Sequence, residues 1–143
     1  MNAIKPWISE KEALDLLTKE IPSSSYEEAQ RFDFRAKDLW NYRGSIIEAY
    51  KLKVLAARNF ERIAQEKNSV SILEEAAFSY DKATKNAEII SKSSPEFLMA
   101  AIRCRIRACR LHYKLWKEQS KSDKNYQFAS RHLVELVRRY ICG

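Results

Sequence analysis

Arg105 and His112 are the residues of this chain whose types and spacing come nearest to a catalytic pair. They lie seven positions apart on a helix predicted to run from Pro95 to about residue 119, so both project from one face. Apolar residues flank that face on both sides, and burying an unpaired cation there would be costly. The pair therefore needs a carboxylate or a polar cleft, and a structural ion pair is the simpler interpretation. The sequence does not choose among four available glutamates: Glu48, Glu61, Glu74 and Glu88.

The same stretch carries a resemblance to a known family. Residues 107–112 read Arg-Ala-Cys-Arg-Leu-His, and Arg105 precedes the histidine by two further positions. This arrangement resembles HEPN-type ribonucleases, small all-helical proteins in which an arginine and a histidine a few residues later cleave RNA across a dimer. The resemblance implies RNA binding or cleavage. On a regular helix Arg107 would point about 140° away from His112, so Arg105 is the arginine that could share a site with it.

Charge gives the strongest functional signal. The chain has a net charge of +7, and residues 97–143 hold eleven Lys and Arg residues against three acidic ones. One row of the Pro95 helix forms a basic stripe, and the last helix extends it. The stripe comprises Arg103, Arg107, Arg110, Lys114 and Lys117, and its extension comprises Arg131, Arg138 and Arg139. Clustered like charge is costly unless a partner neutralises it, so the stripe predicts a surface for an anionic partner.

Three interpretations of the basic stripe remain open. A solvated face that only keeps the protein soluble is the simplest interpretation. Among partners, an acidic protein or peptide is preferred and nucleic acid comes second. Tyr113 and Trp116 lie beside the stripe, where their helical spacing assigns them to the core. Aromatic rings placed to stack with bases would instead favour nucleic acid.

Helix signals divide the whole chain and predict an all-α fold. Two glycines and three prolines leave few residues for tight turns. Ser25 and Glu28 have capping-box spacing before a helix that reaches about residue 43, with Gly44 as a potential break. A third helix covers 46–67, and a capping box at Ser71 and Glu74 opens a fourth. With a short first helix and a last one over 124–142, we expect five to six antiparallel helices in a single domain, 1–143.

The central region resembles tetratricopeptide-type helical repeats. The family's tryptophan, glycine, alanine and aromatic positions are matched by Trp40, Gly44, Ala56 and Phe60, and a related pattern recurs at Ala76, Tyr80 and Ala83. In such repeats small residues let paired helices approach while a ring fills the gap between them. The resemblance implies a scaffold that binds a peptide or helix. It makes a short tetratricopeptide-like stack the alternative to a plain helical bundle.

The sequence gives little indication of disulfide, metal or cofactor chemistry. Cys104, Cys109 and Cys142 fit free thiols, and His132 has no convincing partner in the sequence. No metal-ligand cluster or cofactor motif appears, and no apolar run is long enough to span a membrane. We therefore expect a non-enzymatic intracellular, cytoplasmic binding or scaffold module that engages an acidic partner. RNA binding or HEPN-like cleavage by Arg105 and His112 is the alternative, and homo-oligomerisation stays open.

Overall fold

The computed structural model describes residues 10–39, 46–118, 123–136 and 138–139. Across these ranges the chain forms six α-helices and no strand, so the predicted all-α fold is confirmed. The helices are α1 (Glu10–Thr18), α2 (Tyr26–Leu39), α3 (Ile46–Lys67), α4 (Val70–Ser93), α5 (Leu98–Glu118) and α6 (Asp123–Leu136). A 3-10 turn, Pro95–Phe97, precedes α5.

Helices that follow one another in the chain also pack against one another. From α2 to α6 each helix contacts the next, and the short α1 lies against both α3 and α5. The main core is rich in buried alanines, which allow close helix approach, and Tyr50, Phe60, Tyr80 and Phe97 fill the space between them. This order places α5 between α4, α6 and α1, and leaves one long face of α5 in solvent.

Capping explains where two of the helices begin. The predicted capping box of α2 is confirmed: Ser25 Oγ accepts from Glu28 N at 3.2 Å, and Glu28 Oε1 accepts from Ser25 N at 3.2 Å. For α4 the predicted box at Ser71 is wrong. Ser69, two residues earlier, caps the helix by accepting from Ile72 N at 3.2 Å.

The turn before α4 explains that shift. Asn68 has a φ of 52°, in the left-handed region that a short amide side chain tolerates. The Ser69 N–H then donates back to Ala64 O at 2.9 Å, which closes α3 as a Schellman motif. Because the chain reverses at Asn68, Ser69 is already in an extended conformation at the start of α4.

The start of α5 differs from its prediction, and several other predicted features lie outside the described residues. Pro95 opens the 3-10 turn, and regular α5 begins only at Leu98. The potential break at Gly44 and the repeat position Trp40 lie outside the described residues, as does Cys142. The remaining positions of the repeat-like pattern, Ala56, Phe60, Ala76, Tyr80 and Ala83, are all buried.

None of the described helices combines the length and apolar character needed to cross a membrane.

Candidate functional site

Four cations of α5 form an exposed basic face. Arg103, Arg110, Lys114 and Lys117 are all exposed. Among the described residues, none of these four forms an ion pair with a carboxylate. From Arg103 to Lys117 the helix rises by about 21 Å at 1.5 Å per residue. This face, made of Arg103, Arg110, Lys114 and Lys117, is called the exposed basic face below.

Arg107, the fifth residue of the predicted stripe, turns inward. It is half-buried, and its guanidinium donates to Leu17 O at the end of α1 and to the Tyr80 hydroxyl at 3.4 Å. Arg58 likewise donates to the carbonyl oxygens of Leu16 and Lys19. Cations near the last carbonyls of a helix are favourable, because these groups are unpaired and carry partial negative charge. Arg107 therefore holds α1 in place.

The cations of the last helix lie on a different surface from the exposed basic face. Arg138 and Arg139 both bind Glu135, whose pKa is lowered first by the hydrogen bond from Arg138. Arg139 also lies 3.3 Å from a carboxylate oxygen of Glu88. Arg131 and Arg139 line a cleft of about 490 Å³ together with Arg105, on the α4 and α6 side of α5. Two residues of the predicted extension, Arg131 and Arg139, thus line this cleft, while Arg138 is exposed and paired with Glu135.

Arg105 finds its carboxylate on α4. Its Nε and Nη2 atoms donate to Glu88 Oε2 at 3.0 and 2.6 Å, and both side chains are about nine-tenths buried. Of the four glutamates that the sequence offered, Glu88 is the partner. The expected structural ion pair is therefore present at Arg105.

His132 joins this ion pair, although the sequence suggested no partner for it. Arg105 Nη1 lies 3.1 Å from His132 Nδ1. Since an arginine can only donate, His132 Nδ1 must accept, and the ring proton is on Nε2. That Nε2 lies 2.6 Å from Asp81 Oδ1, so it donates to the carboxylate. Arg105 thereby fixes the tautomer of His132.

Asp81 connects the two histidines. His112 Nε2 lies 2.9 Å from Asp81 Oδ2, while His132 uses the other oxygen of the same carboxylate. Burial by itself raises the pKa of Asp81, but the hydrogen bonds from His112 and His132 outweigh it and leave the pKa below its ordinary value. We call Asp81, Glu88, Arg105, His112 and His132 the buried polar cluster; it joins α4, α5 and α6.

The histidine of the predicted catalytic pair is enclosed. His112 has 0% of its surface exposed, and the rings of Phe78 and Phe128 lie 5.8 and 4.9 Å from its centroid. His132 stacks on it at 5.8 Å. In this arrangement His112 cannot touch a substrate, and Arg105 reaches it only through His132 and Asp81.

The buried polar cluster has the residue types of a metal site but a poor charge arrangement for one. Ligand atoms of Asp81, His112 and His132 lie within 4.8 Å of one another. A histidine that binds a metal through Nε2 normally donates its Nδ1–H to an acceptor. Here the donor Arg105 faces Nδ1 of His132, which favours a proton on Nε2 where the metal would bind. In this arrangement His132 is therefore a poor metal ligand.

Aromatic rings beside the exposed basic face are more accessible than their spacing predicted. Tyr113, which was expected in the core, is 48% exposed, and Tyr126 on α6 is 51% exposed. Trp116 is half-buried between them, with ring centroids 5.6 Å from Tyr113 and 5.3 Å from Tyr126. Lys117 Nζ lies 5.6 Å from the centre of the Tyr113 ring, so the aromatic row directly adjoins the cations.

Comparisons with protein-family models, curated proteins and solved structures found no match to this chain. The contacts within the molecule therefore carry the functional argument.

Proposed function

We propose that this protein is a non-enzymatic binding module that engages an acidic partner through the exposed basic face of α5. One observation carries the proposal. Helix α5 has six basic residues against one acidic residue, and among the described residues Arg105 and Arg107 are the two that make hydrogen bonds inside the fold. The other four, Arg103, Arg110, Lys114 and Lys117, keep their charge on one side of the helix.

Such a surface binds by electrostatic steering. Like charges held along about 21 Å of helix repel one another, and an anionic partner relieves that repulsion while it gains attraction. The attraction acts over about 8 to 10 Å in ordinary salt, so it speeds encounter and weakens as salt rises. Neighbouring side chains then supply the specificity.

Cleavage of RNA by Arg105 and His112 has less support than binding. Cleavage would require His112 to reach a substrate, yet its side chain is fully buried and bound to Asp81. Arg105 is similarly held by Glu88. The buried polar cluster therefore favours a structural role, in which it joins three helices.

A charge-reversal experiment tests the proposed surface. The variant Arg103→Glu/Arg110→Glu is compared with Arg31→Glu/Arg35→Glu, which makes the same charge change on exposed positions of α2. The probe is immobilised heparin, a generic polyanion, eluted with a salt gradient. We expect the α5 variant to elute at clearly lower salt than the α2 variant, because it removes half of the exposed basic face. Equal elution of the two variants would contradict the proposal.

A further inference from the structure

The class of the acidic partner is suggested by the rings beside the exposed basic face. We propose that this face binds single-stranded nucleic acid, with phosphates on the cations and unpaired bases stacked on Tyr113 and Tyr126. The inference rests on the proposed function, since it names the partner of the same surface. Single-stranded nucleic acid is recognised by a row of cations that follows the backbone beside aromatic rings that stack on bases.

Exposure of the two tyrosines is the first argument. Buried aromatic rings are explained by packing alone, but Tyr113 and Tyr126 each leave about half of their surface in solvent. Trp116 lies between them and contacts both rings, so the three form a continuous row from α5 to α6. A base could reach either outer ring from solvent, and on Tyr113 it would share or displace the Lys117 ammonium that lies over the ring.

Position relative to the charges is the second argument. Lys117 lies over the ring of Tyr113, and Arg110 precedes that tyrosine by three residues on the same side of α5. A strand whose phosphates contact Arg110 and Lys117 thus carries its bases toward the aromatic row. Paired bases of a duplex would not be free to stack there. An acidic peptide needs only the cations for charge pairing, whereas a single strand also has a planar base at each nucleotide for the rings.

The number of cations sets the expected salt dependence. For a single strand the slope of log affinity against log salt is about −0.7 per phosphate neutralised, so four contacts give roughly −2.8. Raising salt from 50 to 200 mM would then weaken binding by about 50-fold. The Arg103→Glu/Arg110→Glu variant keeps two of these contacts, so its slope should fall to about −1.4 or shallower.

The test measures fluorescence anisotropy of a labelled mixed-sequence single-stranded RNA of twelve nucleotides. A matched abasic strand has the same phosphates without bases, and a polyglutamate peptide has charge alone. Tyr113→Leu/Tyr126→Leu removes both stacking surfaces but keeps apolar bulk, and Tyr113→Phe/Tyr126→Phe keeps the rings as the control. We expect the leucine variant to bind RNA at least about 30-fold more weakly, because losing one stacked base weakens binding at least about 5-fold and this variant loses two. The phenylalanine variant should bind RNA as the unchanged protein does.

The outcomes separate this inference from the proposed function. One outcome is that RNA, the abasic strand and polyglutamate bind equally well. If that binding also depends on Arg103 and Arg110 but is unchanged in the leucine variant, the surface recognises negative charge alone. That result would overturn the nucleic-acid inference and keep the proposed function. If RNA binding survives charge reversal at Arg103 and Arg110, or if none of the probes binds at 50 mM salt, the proposed function fails as well.

Discussion

Removal of one member of the Arg105–Glu88 ion pair should destabilise the protein by several kcal/mol. The two side chains are only 8% and 10% exposed, so either one left alone would be a poorly solvated charge. Breaking a buried ion pair in this way costs about 3 to 5 kcal/mol. A typical domain is stable by only about 5 to 15 kcal/mol, so the change is a large share of the total.

The structure also ranks the two single variants. In Arg105→Met, Glu88 still has Arg139 at 3.3 Å, so its charge keeps one partner and the cost should be near 3 kcal/mol. In Glu88→Gln, the buried guanidinium of Arg105 keeps no anionic partner within the described ranges of the chain, so the cost should be near 4 kcal/mol or more. We therefore expect Glu88→Gln to be the more damaging change.

The double variant Arg105→Met/Glu88→Gln shows whether the two residues act as a pair. Because it leaves no buried unpaired charge, it should cost less than either single variant and well below their sum of about 7 kcal/mol. Urea unfolding followed by circular dichroism gives all three free energies of unfolding. Single effects that add to within about 0.5 kcal/mol would refute the reasoning, since independent sites behave in that way.

Two further predictions concern the cap of α4 and the pH dependence of the buried polar cluster. Urea unfolding of two serine variants tests the cap. Ser69→Ala should lower the free energy of unfolding by about 1 kcal/mol, because Ser69 is the residue that accepts from Ile72 N. Ser71→Ala should change it by less than about 0.5 kcal/mol, and a larger effect at Ser71 than at Ser69 would contradict this assignment of the cap. Asp81 has a folded-state pKa below its ordinary value, so its stabilising effect is present above the unfolded pKa of about 3.9 and is lost as pH falls through the folded pKa. We therefore expect the unchanged protein to exceed Asp81→Asn in unfolding free energy by a large amount at pH 7 and by less below about pH 4. A difference that grows in acid would contradict the hydrogen bonds assigned to Asp81.

Helices were predictable from the sequence because their signals are local. Apolar periodicity and caps such as Ser25 with Glu28 act within one or two turns, so the α2 cap was identified correctly. The cap of α4 was misplaced because Ser69 and Ser71 both stand near the start of the helix. What decides between them is the left-handed turn at Asn68, which capping-box spacing does not encode.

The candidate site was only partly predictable because its contacts join different helices. The need of Arg105 for a carboxylate followed from its place between two apolar flanks, but the choice of Glu88 depends on the register of α4 against α5. Asp81 and His132 are 51 positions apart, and no short-range pattern connects them. A histidine on the last predicted helix was an available sequence signal for this contact. It identifies His132 as a partner of Arg105 only when the packing of α6 against α5 is known.

The placement of α1 changes how the basic segment should be understood. Helical periodicity predicted that Arg107 lies in the exposed basic row. In the structure α1 packs beside this part of α5, and the Arg107 guanidinium donates to the carbonyl oxygen of Leu17. The positive charge of α5 therefore divides between internal bonds and the exposed basic face, while Arg131 and Arg138 lie on another surface. Four cations give a binding surface that loses about 50-fold in affinity between 50 and 200 mM salt if each contacts a phosphate. If the surface binds a single strand as proposed, base stacking on Tyr113 and Tyr126 would add affinity that ions do not screen in the same way.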